Sequence, residues 1–184
     1  GTLDRTLVVF TSDNGFFYGE HGLSLERRLP YEESVRNPLI VRYPPLVEAG
    51  SRPEGLVLSV DVAPTVLEIA RAPVGEHVQG RSLVPLLSGA EPEGWRESVL
   101  VEFYTYENPM PWLRDMDYRM LRTHRYKYIH WMQHPDLDEL YDLEADPYEM
   151  ENRVDDPETA GVRAELREEL GRKVLEAMGI ADEG

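Results

Sequence analysis

The stretch Thr6-Leu7-Val8-Val9-Phe10-Thr11-Ser12-Asp13-Asn14-Gly15 decides how the rest of the chain is read. Its first six residues are continuously apolar or β-branched, which suits a strand buried on both faces of a parallel sheet better than the half-exposed strand of a hairpin. The run stops at Ser12-Asp13-Asn14-Gly15, where short polar side chains and a glycine turn the chain. Asp13 and Asn14 therefore stand just past the carboxyl end of a strand, where open α/β sheets bind their ligands.

Working outward, a glycine-rich loop leads to Tyr31-Glu32-Glu33-Ser34-Val35-Arg36, read as a short helix stopped ahead of Pro38. Pro38 to Tyr43 predicts a second buried strand, closed by Pro44 and Pro45. Asp61 predicts a helix cap, with Val62, Val66 and Ile69 on one core-facing stripe and Pro64 tolerated in the first turn. From Gly75 to Gly94 the chain is loop-rich, which places a boundary near residue 90. Beyond it, Val99–Phe103, Tyr118–Arg122 and Tyr126–His130 follow one another without helix-length spacers and predict a small antiparallel sheet. Val162, Leu166, Leu170 and Val174 recur every four residues, so Glu158–Met178 reads as an amphipathic helix packed on that sheet. The expected organisation is α/β, with residues 1–90 as one part and residues 91–184 as an antiparallel-sheet subdomain ending in a helix.

Composition narrows the function classes. Of 184 residues, 41% are hydrophobic and 29% charged, as in an ordinary globular protein, so disorder is not the leading class. No apolar run approaches the roughly 20 residues that a membrane helix needs. Thirty-five acidic residues against 19 basic ones leave a formal charge of -16, which disfavours nucleic acid as a partner. The absence of cysteine excludes a disulfide framework, a thiolate zinc site and a cysteine nucleophile within the chain.

The carboxylate of Asp13 and the amide oxygen of Asn14 are hard ligands suited to calcium or magnesium, although two ligands do not complete a site. A plain Asn-Gly turn, with Asp13 bonded to its own backbone, is the competing reading. His21, between glycines, is placed either to hand a proton to an oxyanion or simply to anchor its loop. Arg27 and Arg28 suit a tetrahedral oxyanion through bidentate hydrogen bonds, or else lie on a solvated surface. Tyr104, Tyr106, Trp112, Tyr118, Tyr126, Tyr128 and Trp131 read mainly as sheet packing rather than as a stacking platform. His124, His130, Arg122, Arg125 and Lys127 are read as either a basic rim for an anionic substrate or, in part, solvent-facing strand positions. The irregular loop from Tyr104 to Asp117 is expected to shape a pocket entrance. Asp142–Pro147 is not an EF-hand, because proline stands where that loop needs glycine.

Five stretches together resemble, in order and spacing, the later part of a type I sulfatase of the alkaline-phosphatase superfamily. They are Thr6–Gly15 followed by Gly19-Glu20-His21-Gly22-Leu23, Tyr31–Arg42, Ser59–Ala70 with Gly80–Leu83, Tyr118–Ile129, and Glu139-Leu140-Tyr141-Asp142-Leu143. The resemblance implies an alkaline-phosphatase-like sandwich with a mostly parallel sheet. It implies that Asp13 and Asn14 are two ligands of one calcium ion facing the sulfate oxygens of an aryl or carbohydrate sulfate. In the family a lysine usually precedes the Tyr-Glu-Glu helix by four residues; Arg27 takes that spacing here, and one extra residue in the loop makes Arg28 an equal candidate. Arginine does not give up its proton, so it clamps sulfate but is a poor general acid, which leaves leaving-group protonation to His21 or to a histidine upstream.

The family's nucleophile is a formylglycine made within Cys/Ser-x-Pro-x-Arg, and neither that motif nor the early Asp-Asp metal pair occurs in the chain. The expectation is a carboxyl-terminal portion of a sulfatase, inactive alone and completed by the amino-terminal part of the same enzyme. A phosphatase or phosphonate hydrolase of the same superfamily, and a non-catalytic domain binding calcium or an anionic glycan, are the alternatives. Secretion or periplasmic export is common in the family, and a cytoplasmic location stays open.

Overall fold

The computed structural model describes residues 1–23, 27–105 and 114–180. They form two compact units: Gly1–Asn14 with Asn37–Glu97, and Gly15–Arg36 with Ser98–Gly184. The division falls after Glu97 rather than near residue 90, and Gly15–Arg36, expected within the first part, packs with the second. Its apolar side chains explain this: Phe17 and Leu29 are buried in the core of the second unit.

In the first unit, β1 (Val8–Thr11) pairs antiparallel with β2 (Leu39–Arg42), with Val8 opposite Arg42 and Thr11 opposite Leu39. Among the described strands β1 thus has no parallel neighbour, and it is not buried on both faces. Leu7, Val9, Leu39 and Val41 turn towards Val62, Thr65 and Leu83, whereas Val8, Phe10 and Ile40 stay exposed, Phe10 and Ile40 each by 62%. Alternation sends successive side chains to opposite faces, so a strand apolar on both has one apolar face left over when a single layer packs against it.

The helix α2 (Val62–Ile69) starts where expected, but its Pro64 and Thr65 are the buried positions, while Val66 is exposed. Asp61 does not cap it with its side chain. Fully buried, that carboxylate accepts hydrogen bonds from the backbone N–H groups of Leu58 (2.7 Å) and Arg81 (2.8 Å) and is paired with the Arg96 guanidinium. The Thr65 hydroxyl accepts from the Leu83 N–H at 2.8 Å, tying the short α3 (Val84–Leu87) to α2.

The second unit holds a four-stranded antiparallel meander in the order β3 (Ser98–Phe103), β4 (Tyr118–Thr123), β5 (Tyr126–Trp131) and β6 (Glu139–Asp142). One face buries Tyr118, Met120, Ile129, Trp131 and Tyr141 against Phe17 and Leu29. The other buries Leu121, Tyr128 and Leu140 against Leu166 and Leu170 of α3's successor α4 (Ala160–Ala177), with Val162 and Val174 flanking them. The every-fourth-residue stripe read from the sequence is thus the face that docks. No helix among the described residues is long and apolar enough to cross a membrane.

Candidate active-site elements

The turn after β1 is built from its own polar side chains. The Asn14 N–H donates to Asp13 Oδ1 (3.0 Å), and the Ser12 hydroxyl donates to the Asn14 carbonyl (2.7 Å). Both Asp13 and Asn14 are exposed. The backbone-bonded turn weighed against a metal site is therefore present, yet it also stiffens two hard oxygen donors side by side. Across from it, the Asn37 side-chain amide donates to the Asp13 carbonyl at 3.2 Å.

Gly15 begins the segment that joins the second unit. Its N–H donates to the Ser34 carbonyl at 2.7 Å, and a Cβ built there would lie 1.8 Å from the Glu33 carbonyl oxygen, so only glycine permits this approach. His21 has a positive φ of 54° and a nearly buried side chain. Its ring stacks on Tyr31, with centroids 4.3 Å apart, and its Nε2 lies 3.2 Å from Glu33 Oε2. These contacts fix the ring in the loop, as an anchoring residue requires, and leave its part in proton transfer untouched. Arg27 is exposed and Arg28 half-buried, and the Ser34 hydroxyl donates to the Arg27 carbonyl at the start of α1 (Glu32–Val35). Asp13 and Asn14 belong to the first unit; His21, Arg27 and Arg28 belong to the second.

Beneath α1 lies a charged cluster that the sequence did not single out. Lys127, fully buried on β5, places Nζ 2.6 Å from Glu149, 2.9 Å from Glu32 and 3.1 Å from the Pro30 carbonyl. The Arg122 guanidinium joins Glu32 with Nε at 3.0 Å. Burial works against ionisation of Glu32, but the Arg122 hydrogen bond and the Lys127 charge overcome it and hold its carboxyl at about 2. Burial dominates at Glu149 and raises its carboxyl despite Lys127. Glu139 accepts from the hydroxyls of Tyr31 (3.1 Å) and Tyr141 and from the Trp131 indole N–H (2.9 Å); burial first, and the Glu139 carboxylate second, push both phenols up.

The basic rim is thereby corrected. Lys127 and Arg122 are consumed by Glu149 and Glu32, Arg125 is paired with Asp142 (2.7 Å), and His130 with Asp138 (3.0 Å). Period-two alternation puts Arg122 and Lys127 on the sheet face that packs Gly15–Arg36, where a cation needs a carboxylate partner. Of the aromatic residues, Tyr118, Tyr128 and Trp131 are core, whereas Tyr104 is half exposed beneath the Arg119 guanidinium, 4.2 Å from its ring centroid. Tyr106, Trp112 and most of the expected entrance loop lie outside the described residues.

With this geometry in place, comparison with known proteins assigns the class. The family model described as N-sulphoglucosamine sulphohydrolase, C-terminal, matches residues 19–176. The chain belongs to that family, a carboxyl-terminal portion of sulfatases with the alkaline-phosphatase-like fold. It is 41% identical over 172 residues to an N-acetylglucosamine-6-O-sulfatase of Bacteroides thetaiotaomicron, a match covering 92% of this chain and 30% of that protein. A protein solved in complex with its substrate D-glucosamine-2-N,6-O-disulfate superposes with a TM-score of 0.86 at 39% identity, over 94% of this chain and 35% of the other. The phosphonate monoester hydrolase of Agrobacterium radiobacter superposes with a TM-score of 0.82 at 31% identity, over 97% and 36% of the two chains. The chain thus spans about a third of the length of these relatives.

Proposed function

We propose that the protein to which this chain belongs hydrolyses sulfate esters, with a 6-O-sulfated glucosamine as its substrate. The supporting observation is the 41% identity, over 92% of this chain, to an N-acetylglucosamine-6-O-sulfatase. In this reading Asp13 and Asn14 hold one calcium ion. The donor chemistry fits, since both side chains offer hard oxygens from a hydrogen-bonded turn. Among the described residues no group of three His, Cys, Asp or Glu side chains is placed to hold a metal ion; we assign the remaining ligands and the formylglycine nucleophile to the amino-terminal part of the enzyme. When bound, calcium neutralises the charge of the sulfate oxygens.

The chain's own residues then bind and orient. The guanidinium of Arg27 or Arg28 holds the sulfate without surrendering a proton. His21 keeps the Gly19–Gly22 loop in place through Glu33 and Tyr31. The test is turnover of N-acetylglucosamine 6-sulfate by the enzyme containing this chain, beside an aryl sulfate and a phenyl phosphonate. Sulfate ester cleavage that disappears in Asp13→Ala supports the reading. The likeness to a phosphonate monoester hydrolase favours one alternative, and cleavage of the phosphonate but neither sulfate establishes that alternative in its place.

A further inference from the structure

We propose that Asn37 is a positioning residue that clamps the Asp13-Asn14 turn from the opposite strand and thereby sets its affinity for a divalent cation. The inference rests on the metal reading of that turn and adds to it a residue outside the motif.

The β1–β2 register pairs Thr11 with Leu39, so continuing it by two residues sets Asp13 opposite Asn37. The backbone ladder does not extend that far, because Pro38, which follows Asn37, has no N–H to donate. At that level the connection is made by a side chain: Asn37 Nδ2 donates to the Asp13 carbonyl at 3.2 Å, across 24 residues of sequence. This is a hydrogen bond from outside the turn that reaches its backbone, whereas those of Ser12 and Asn14 are local. The other end of the amide is anomalous, since Asn37 Oδ1 is buried and has no hydrogen-bond partner among the described residues. A buried amide oxygen without a donor is costly, typically about 1–3 kcal/mol, so a side chain retained in that state is held for what its other end does. An apolar residue of similar volume would avoid the cost and lose the grip on Asp13.

The consequence is ordering before binding. A carbonyl fixed from β2 restrains the φ and ψ of Asp13, which limits the directions its carboxylate samples and reduces the entropy lost when a cation is captured. Partners one shell out from a metal typically change its affinity about 10- to 100-fold.

The experiment uses the full-length enzyme containing this chain and compares wild type with Asn37→Leu, Asn37→Ala and Asp13→Ala. Calcium affinity is read by titration calorimetry on metal-stripped protein, and hydrogen exchange is followed on the peptide spanning Val8–Tyr18. The expected result is a calcium Kd at least about tenfold weaker in both Asn37 variants, with faster metal-free exchange confined to the turn. A Kd within twofold of wild type in a folded Asn37 variant, where Asp13→Ala has lost calcium, overturns the clamp and leaves the metal reading standing. Calcium binding unchanged in Asp13→Ala overturns the metal reading and the clamp's effect on it together, while the exchange data still report whether Asn37 orders the turn. Asn37→Ala, which adds no bulk, serves if Asn37→Leu does not fold.

Discussion

The Nζ of Lys127 and Oε1 of Glu149 lie 2.6 Å apart with neither side chain reaching solvent. Taking two charges out of water is repaid only while both are present, so removing one leaves the other stranded. Lys127→Met is expected to lower the stability of the second unit by about 3–5 kcal/mol, and the double variant Lys127→Met/Glu149→Leu by clearly less. Urea unfolding of the wild type and these two variants reads this coupling; equal losses in the single and double variants would mean the pair is not one energetic unit.

Glu32 makes part of this stability depend on pH. Its folded carboxyl sits at about 2, held there by Arg122 and Lys127 against burial, whereas an unfolded glutamate titrates near about 4.3. A depressed carboxyl contributes stability that is fully present above the unfolded value and is lost as pH falls towards 2. Glu149, raised by burial, acts in the opposite sense and favours folding when protonated. Between about pH 4.5 and 2, Glu32→Gln should therefore show a shallower decline in unfolding midpoint than wild type, and a parallel decline would refute this assignment.

Gly15→Ala places a methyl group against the Glu33 carbonyl oxygen, so backbone must move where Gly15 also bonds Ser34. The expected loss is about 1–3 kcal/mol, read as a lower melting temperature, with the Asn14–Gly15 connection becoming sensitive to protease. A melting temperature within a degree of wild type would show that the close approach is not maintained.

Leu170 is buried against the sheet, flanked by Leu166. Leu170→Ala should cost about 2–5 kcal/mol, whereas Glu168→Ala on the exposed side should fall within about 0.5. Similar costs at both positions would contradict the docking face assigned to α4.

Arg27 and Arg28 separate by kinetics. The residue that holds sulfate should, when changed to alanine, lower kcat/KM for the sulfate ester by about 2 kcal/mol equivalent or more, its neighbour changing little. Two small effects would remove both from the anion site.

What was legible in the sequence depended on whether a feature was local. The α4 stripe and the β3–β5 meander follow from periodicity within one element, and the Asp13-Asn14 turn follows from residues in contact along the chain. The partners of β1 were not local: a run apolar on both faces reads as doubly covered, yet among the described residues only one face packs, leaving Phe10 and Ile40 exposed. Lys127 and Arg122 look like surface cations in the sequence, because their carboxylates lie far away at Glu149 and Glu32. Asn37 carries no local signal for the same reason, since only strand register sets it opposite Asp13.

The excursion of Gly15–Arg36 out of one unit and into the other also constrains synthesis on the ribosome. Phe17 and Leu29 leave the exit tunnel well before the β4, β5 and β6 side chains that bury them are translated. Glu149 emerges about 110 residues after Arg36, on the order of 10 s at ordinary elongation rates. Throughout that interval the β1–β2 hairpin must form around a greasy, unpaired loop, so nascent chains stalled before β6 are where chaperone capture and aggregation should concentrate.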